Sequence, residues 1–299
     1  MCIRDRMKID SKKERHKHYC KIYQGIRFTN WENFFSSARS LESLIRNAFE
    51  DNPPFMKLVG SSSTGTMRKG YEDLDYAVAF QKLFNNEDFL GRVSNTGLNI
   101  KKVKQNREYG YIKISGEYNG KRFVLVPMIH PNGKIKTYEH DAFYHPEFIN
   151  RLKREDHSFN TILAKEFFSQ IGVYKEVRGI TSELLILKYE KFLHVLKESG
   201  KWKKKTVLSV DKEGVDKEEN KFDEEFVFMD PVDDSRNVAA SLSKEKLNFF
   251  IFASEEFLKK PKIEFFFPNK PENISREKLI SKLNNFLGIC FKKPEISED

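Results

Sequence analysis

Cysteine is scarce in this chain: three in 299 residues (Cys2, Cys20 and Cys290), widely separated and without a Cys-x-x-Cys pair. That spacing excludes a disulfide framework and a zinc knuckle, and a reducing, cytoplasmic setting is expected. No stretch approaches the roughly 18 consecutive apolar residues of a membrane-spanning helix. The first residues have neither an apolar core nor a small-residue cleavage site, so they do not read as a secretory leader. No internal repeat is present. What the chain does have is aromatic mass: 27 Phe, with 39% apolar and 13% aromatic residues overall, which excludes general disorder. The length suggests two domains. Lys and Arg number 53 against 44 acids, a net charge of +9, which points to a polyanion such as RNA, DNA or a lipid surface. A solvated, Lys-rich surface is the plain alternative.

Apolar residues at Phe34, Ala38, Leu41, Ile45 and Phe49 predict an amphipathic helix over 31–49, ended by Pro53-Pro54. Phe55–Val59 and Leu74–Phe80 read as strands flanking a Gly/Ser/Thr-rich turn, and 84–108 as polar, irregular or helical chain. Asn119-Gly120 between the apolar runs 109–114 and 122–129 predicts a hairpin. Beyond about residue 146 the pattern becomes helical, over 160–168, 182–197 and 244–259, with Ser243 as a helix start. Residues 211–225 read as a charged loop, 263–267 as a final strand, and 278–291 as a short helix and strand.

The chemistry concentrates in Val59-Gly60-Ser61-Ser62-Ser63-Thr64-Gly65-Thr66, followed by Asp73-Leu74-Asp75. Small residues in such a turn let backbone N–H groups approach an anion closely. Side chains two apart on a strand share a face, so Asp73 and Asp75 can share a hard cation such as Mg²⁺. A triphosphate at the turn would then meet metal at the carboxylates, the arrangement for in-line attack of a hydroxyl on an α-phosphate. Lys201-Trp202-Lys203-Lys204 combines charge with an aromatic ring, which suits RNA contact; a basic helix end is the alternative.

The Gly-Ser…Asp-x-Asp pattern is similar to that of the polymerase-β nucleotidyltransferase superfamily. Asp230-Pro231-Val232-Asp233-Asp234-Ser235-Arg236-Asn237-Val238-Ala239-Ala240, together with Glu183-Leu184-Leu185-Ile186, resembles the archaeal-type (class I) CCA-adding tRNA nucleotidyltransferases. The resemblance implies an α+β fold: a small mixed sheet with flanking helices as a catalytic head, plus a helical second domain. It also implies transfer of CMP and AMP from CTP and ATP to the tRNA 3′ acceptor end, with two Mg²⁺ ions and a homodimer. Asp73 and Asp75 would act as catalytic, metal-binding residues. Gly60, Ser61, His145, Lys175, Arg178 and Arg236 would hold nucleotide.

Two positions depart from the family. Val124, counted back from Val126-Pro127, takes the place of a third carboxylate, and Thr64 that of a phosphate-binding Arg, with Arg68 and Lys69 nearby. A non-catalytic RNA- or nucleotide-binding relative, or a nucleotidyltransferase with another acceptor such as a poly(A)-type enzyme, are the alternatives. The expected organisation is 7–145 as head, 146–260 as helical central domain, and 261–299 as the start of an incomplete tRNA-binding region. Residues 1–6 resemble translated sequencing-adapter read-through.

Overall fold

The computed structural model describes Lys17 and residues 19–82, 85–106, 111–132, 138–202, 205–210 and 222–268. The chain through Phe266 falls in one compact unit, and residues 267–299 form a second, of which only Phe267 and Pro268 are described.

After a helical segment at 19–26, α1 (Trp31–Ala48) buries Phe34, Ala38, Leu41 and Ile45 on one side, as their spacing predicts. β1 (Phe55–Leu58) leads through Gly60 into a single helical turn, α2 (Ser61–Thr64), and the chain returns as β2 (Leu74–Phe80). α3 (Asn86–Asn95) starts at Asn85, whose side chain accepts a 2.8 Å bond from the Glu87 N–H. β3 (Asn99–Asn106), β4 (Tyr111–Tyr118) and β5 (Lys121–Ile129) complete a five-stranded sheet of order β1-β2-β5-β4-β3. Only β2 and β5 run parallel; the other neighbours are antiparallel. The expected hairpin is present, with Asn119 and Gly120 both at positive φ, 49° and 71°.

β2 is buried on both faces, for different reasons. Leu74, Tyr76, Val78 and Phe80 meet the core beneath α1 and α3, and Tyr76 Oη donates a 2.9 Å bond to the Ala38 carbonyl. On the other face Ala77 and Ala79 are small enough to admit α4 (Tyr138–Leu152), which brings Phe143 down with Met128. Asp75 lies on the Ala77–Ala79 face by the two-residue alternation of a strand.

The second half is built on α5 (His157–Gln170), buried along nearly its whole length. Around it pack α6 (Tyr174–Tyr189), α7 (Phe192–Ser199) and α8 (Lys244–Lys259), the last starting at Ser243 as expected. Three expectations change here. The predicted helix 182–197 is two helices, separated where Glu190 takes φ 67°. A small parallel pair, β6 (Thr206–Leu208) with β7 (Phe226–Phe228), sits among the helices. The predicted final strand is a 3₁₀ turn, Ile263–Phe265; with Pro261 before it and no strand beside it among the described residues, the Phe-rich run packs Phe265 and Phe266 on Phe167 and Phe257. β3 replaces part of a stretch expected to be irregular. Residues 211–221 and 278–291 lie outside the described residues.

The segment 19–26 belongs to this second core, where Tyr19, Ile22 and Ile26 are buried and Tyr23 packs on Phe159. It then straps the chain beyond the Gly-Ser turn: the Lys69 N–H donates to the Ile26 carbonyl (2.8 Å) and the Phe28 N–H to that of Met67 (3.3 Å). Among the described residues no helix is long and apolar enough to cross a membrane.

Candidate active site

Gly60 takes φ 68°, ψ −149°, a region that L-residues avoid, and a Cβ there would stand 3.3 Å from Asp75 Oδ2. The turn therefore approaches the carboxylate as closely as a missing side chain allows. The Val59 N–H donates to the Asp75 carbonyl (2.9 Å), locking strand to strand at the same point. Ser61 opens α2. At its far end, Asn150 Nδ2 donates to the Ser63 carbonyl (3.1 Å) and Lys153 Nζ to the Thr64 carbonyl (3.2 Å), so α4 satisfies the groups that a one-turn helix leaves open.

A buried polar cluster fixes the turn from below. Thr66 Oγ1 donates to Glu183 Oε1 (2.7 Å) and accepts from Lys165 Nζ (2.7 Å), which also donates to Glu183 Oε1 (2.7 Å). Lys165 and Glu183 are 2% and 4% exposed, so this pair is shielded from water on all sides. Arg68 next to it donates to Glu166 Oε2 (2.8 Å) and the Lys165 carbonyl (3.1 Å), with its guanidinium between the Tyr71 and Tyr174 rings. Arg68 is thus committed to structure, whereas Lys69 is exposed. Neither Lys165 nor its two partners figured among the candidate site residues, although Lys165-Glu166 set within the apolar residues of 162–168 was a visible signal.

Asp75 lies in β2 and Asp73 just before it, near enough for their charges to interact but in different surroundings. Asp73 is held by Arg122, whose Nε donates to Oδ1 (2.9 Å) and whose Nη2 donates to Oδ2. Burial pushes the Asp75 carboxyl up to about 6, the charge of Asp73 adds to the rise, and Lys113 and Arg122 oppose it. The β2–β5 register sets Val124 directly beside Asp75, with Ser115 of β4 next across the sheet. Among the described residues no group of three His, Cys, Asp or Glu side chains forms a ready metal cage. Two neighbouring carboxylates fit Mg²⁺ as it is bound alongside phosphates, a few protein oxygens with the rest from nucleotide and water.

A second convergence lies between α4 and the segment after β7. His145 Nε2 meets both Asp230 oxygens, at 2.8 and 2.9 Å, and Arg236 Nη1 reaches Oδ2 at 3.3 Å. Burial would raise the Asp230 carboxyl, but the hydrogen bond and charge of His145, the Val232 N–H and the Arg236 charge together outweigh it and hold the group below its ordinary value. Asp233 Oδ1 accepts from the Ser235 N–H and hydroxyl, a local turn that presents Arg236. His145 and Arg236 are therefore brought together through Asp230.

The remaining candidates lie elsewhere. Lys175 and Arg178 are exposed on α6, Arg178 at a break in the helix (φ 61°, ψ 163°). Lys201 pairs with Glu198, and the Trp202 ring packs 4.7 Å from Phe226; Lys203 and Lys204 lie outside the described residues.

The mixed sheet with its Gly-Ser turn and Asp-x-Asp strand defines a polymerase-β-type nucleotidyltransferase fold. The solved Cid1 poly(U) polymerase, in a form with Mg and 3′-dATP bound, superposes with a TM-score of 0.66 at 13% identity, over 84% of this chain and 96% of that one. A cytoplasmic RNA terminal U-transferase gives 0.66 at 12% identity, over 87% and 100%. Residues 160–267 match the family model of the tRNA nucleotidyltransferase second domain. CCA-adding enzymes are similar along most of the chain: that of Methanosarcina mazei at 32% identity over 82% of this chain and 56% of its own length, and that of Methanocaldococcus jannaschii at 34% over 73% and 53%. The chain is thus similar to archaeal CCA-adding enzymes over most of its own length, and spans a little over half the length of these relatives.

Proposed function

We propose that the protein transfers CMP and AMP from CTP and ATP to the 3′ end of tRNA without a nucleic-acid template, in the cytoplasm. The observation that carries this reading is the approach of the Gly60 turn to the Asp75 carboxylate within a chain similar to CCA-adding enzymes over most of its length. In the reaction the RNA 3′ oxygen forms a bond to the α-phosphorus of the nucleotide and the bond to pyrophosphate breaks. Gly60 and Ser61 offer backbone N–H groups to the triphosphate. Asp73 and Asp75 would hold up to two Mg²⁺, which when bound neutralise the phosphates and favour the ionised 3′ hydroxyl. Arg236, aimed by Asp230 and Asp233, and His145 are the groups assigned to the incoming nucleotide, with Lys175 and Arg178 assigned to its phosphates. Lys201 to Lys204 are assigned to tRNA, and pairing into a homodimer is part of the same reading.

The test is incubation with tRNA lacking its 3′ CCA, Mg²⁺ and labelled CTP or ATP. Incorporation that Asp75→Asn abolishes supports the reading; its absence in the parent refutes it. A second reading has its own observation. Arg122 occupies Asp73, and apolar Val124 stands beside Asp75, which suits a relative that binds RNA and nucleotide without transfer. That reading predicts tight tRNA binding with no incorporation, and incorporation gained on Val124→Asp, since a missing activating carboxylate costs about 10²–10⁴ in rate.

A further inference from the structure

The sheet face that bears Asp75 does not end at Asp75. The strand register carries it across three more strands: Asp75 beside Val124, Val124 beside Ser115, Ser115 beside Lys102. At about 4.8 Å per strand, Lys102 stands roughly 14 Å from Asp75 on the same face. Lys113, two residues from Ser115, and Lys104, two from Lys102, share that face and are directly opposed in the β3–β4 ladder. All three lysines are exposed, and Lys113 is close enough for its charge to act on Asp75. The acid of this face on β4, Glu117, is engaged by Lys101.

Two like charges placed directly opposite on an antiparallel pair destabilise the sheet. The sequence could relieve this with one acid on β3; instead that strand reads Asn-Ile-Lys-Lys-Val-Lys-Gln-Asn. A polyanion laid along the row would turn the repulsion into attraction and release its own counterions. The sheet order says which polyanion. The Gly60 turn lies on the β1 side of Asp75, and the lysines lie on the β5, β4 and β3 side. In-line attack needs the nucleophile and the leaving pyrophosphate on opposite sides of the α-phosphorus. Phosphates of the nucleotide at the turn therefore leave the lysine side for the strand that ends in the attacking hydroxyl.

We propose that Lys102, Lys104 and Lys113 form a track for the phosphate backbone of the RNA strand whose 3′ end enters the site. This inference rests on the function proposed above, and makes the exposed face of β3 and β4 an RNA-binding surface. The test measures binding of a tRNA transcript lacking its CCA by fluorescence anisotropy across a range of KCl concentrations. For the triple Lys→Gln variant at these positions, loss of three contacts at about 0.7 each should lower the slope of log K against log[salt] by about 2, with an affinity loss of tenfold or more near 0.1 M salt. ATP affinity should be unchanged in the Lys102→Gln/Lys104→Gln double variant, which keeps Lys113 near Asp75, and its melting temperature should be equal or higher because the Lys104–Lys113 repulsion is gone. Affinity and slope equal to those of the parent would overturn the track while leaving the proposed function intact. A loss shared by the charge-preserving triple Lys→Arg variant would also overturn it. A parent that binds no RNA would overturn both.

Discussion

Replacing Asp75 with Asn is expected to stabilise the protein, and by an amount that grows with pH. In the unfolded chain an Asp titrates near 3.8, whereas in the fold burial and the neighbouring Asp73 carry Asp75 to about 6. A raised carboxyl pKa means that the folded state holds the proton more tightly than the unfolded state. The stabilisation from that proton is complete below 3.8 and is lost as pH climbs through about 6. Integrating between the two values, ionised Asp75 costs about 1.6 kcal/mol at pH 5 and about 3 kcal/mol at pH 8. Asn fits the same space and carries none of this cost. Urea melts of parent and variant, without divalent metal, at both pH values measure the difference directly. The variant should be more stable at each, and its advantage should be about 1.4 kcal/mol larger at pH 8. A variant less stable than the parent, or an advantage that does not change with pH, would refute the reasoning and with it the account of Asp75 as a group kept at the expense of stability for its chemistry.

Lys165→Met leaves Glu183 buried without its cation and should cost about 3–5 kcal/mol, most of it recovered in the Lys165→Met/Glu183→Leu double variant; denaturant melts of the four proteins read the coupling. Gly60→Ala forces an L-residue into φ 68° with its Cβ 3.3 Å from Asp75 Oδ2. It should lower stability by about 1–2 kcal/mol and weaken ATP binding by calorimetry. Asp230→Asn removes the charged partner of His145 and Arg236 and should cost about 1.5–3 kcal/mol at pH 7. Because the folded Asp230 value is depressed, its contribution is present above 3.8 and lost as pH falls through the folded value, so the two proteins should converge in acid.

The sheet and its site motif were legible because their signals are local. Asp73-x-Asp75 marks the opening of β2, Gly60 marks a turn, and Asn119-Gly120 forces a hairpin. The polar strand β3 was not legible: Lys101, Lys102 and Lys104 obscure any apolar alternation, and the strand exists through its ladder to β4. Arg122 was hidden for another reason. Its parity with Val124 is readable, but its partner Asp73 becomes visible only once β2 is known to lie parallel to β5. The cluster of Thr66, Lys165 and Glu183 joins three positions whose meeting depends on how the two halves pack. A buried Lys announces that a partner exists without saying which.

The segment 19–26 has a consequence for how this chain acquires its shape. It precedes the whole sheet in sequence, yet Tyr19 rests against Phe257 of α8, which follows the sheet. During synthesis the sheet can close around α1 while the second core still waits for α8. That contact bridges the sheet and most of the second core and closes a very long loop, which places it late in folding. Because the chain just after this segment and the segment itself hydrogen-bond Met67 and Lys69 past the Gly-Ser turn, docking of α8 on Tyr19 also steadies the strap behind that turn. Packing of the second core and positioning of the site are thereby linked.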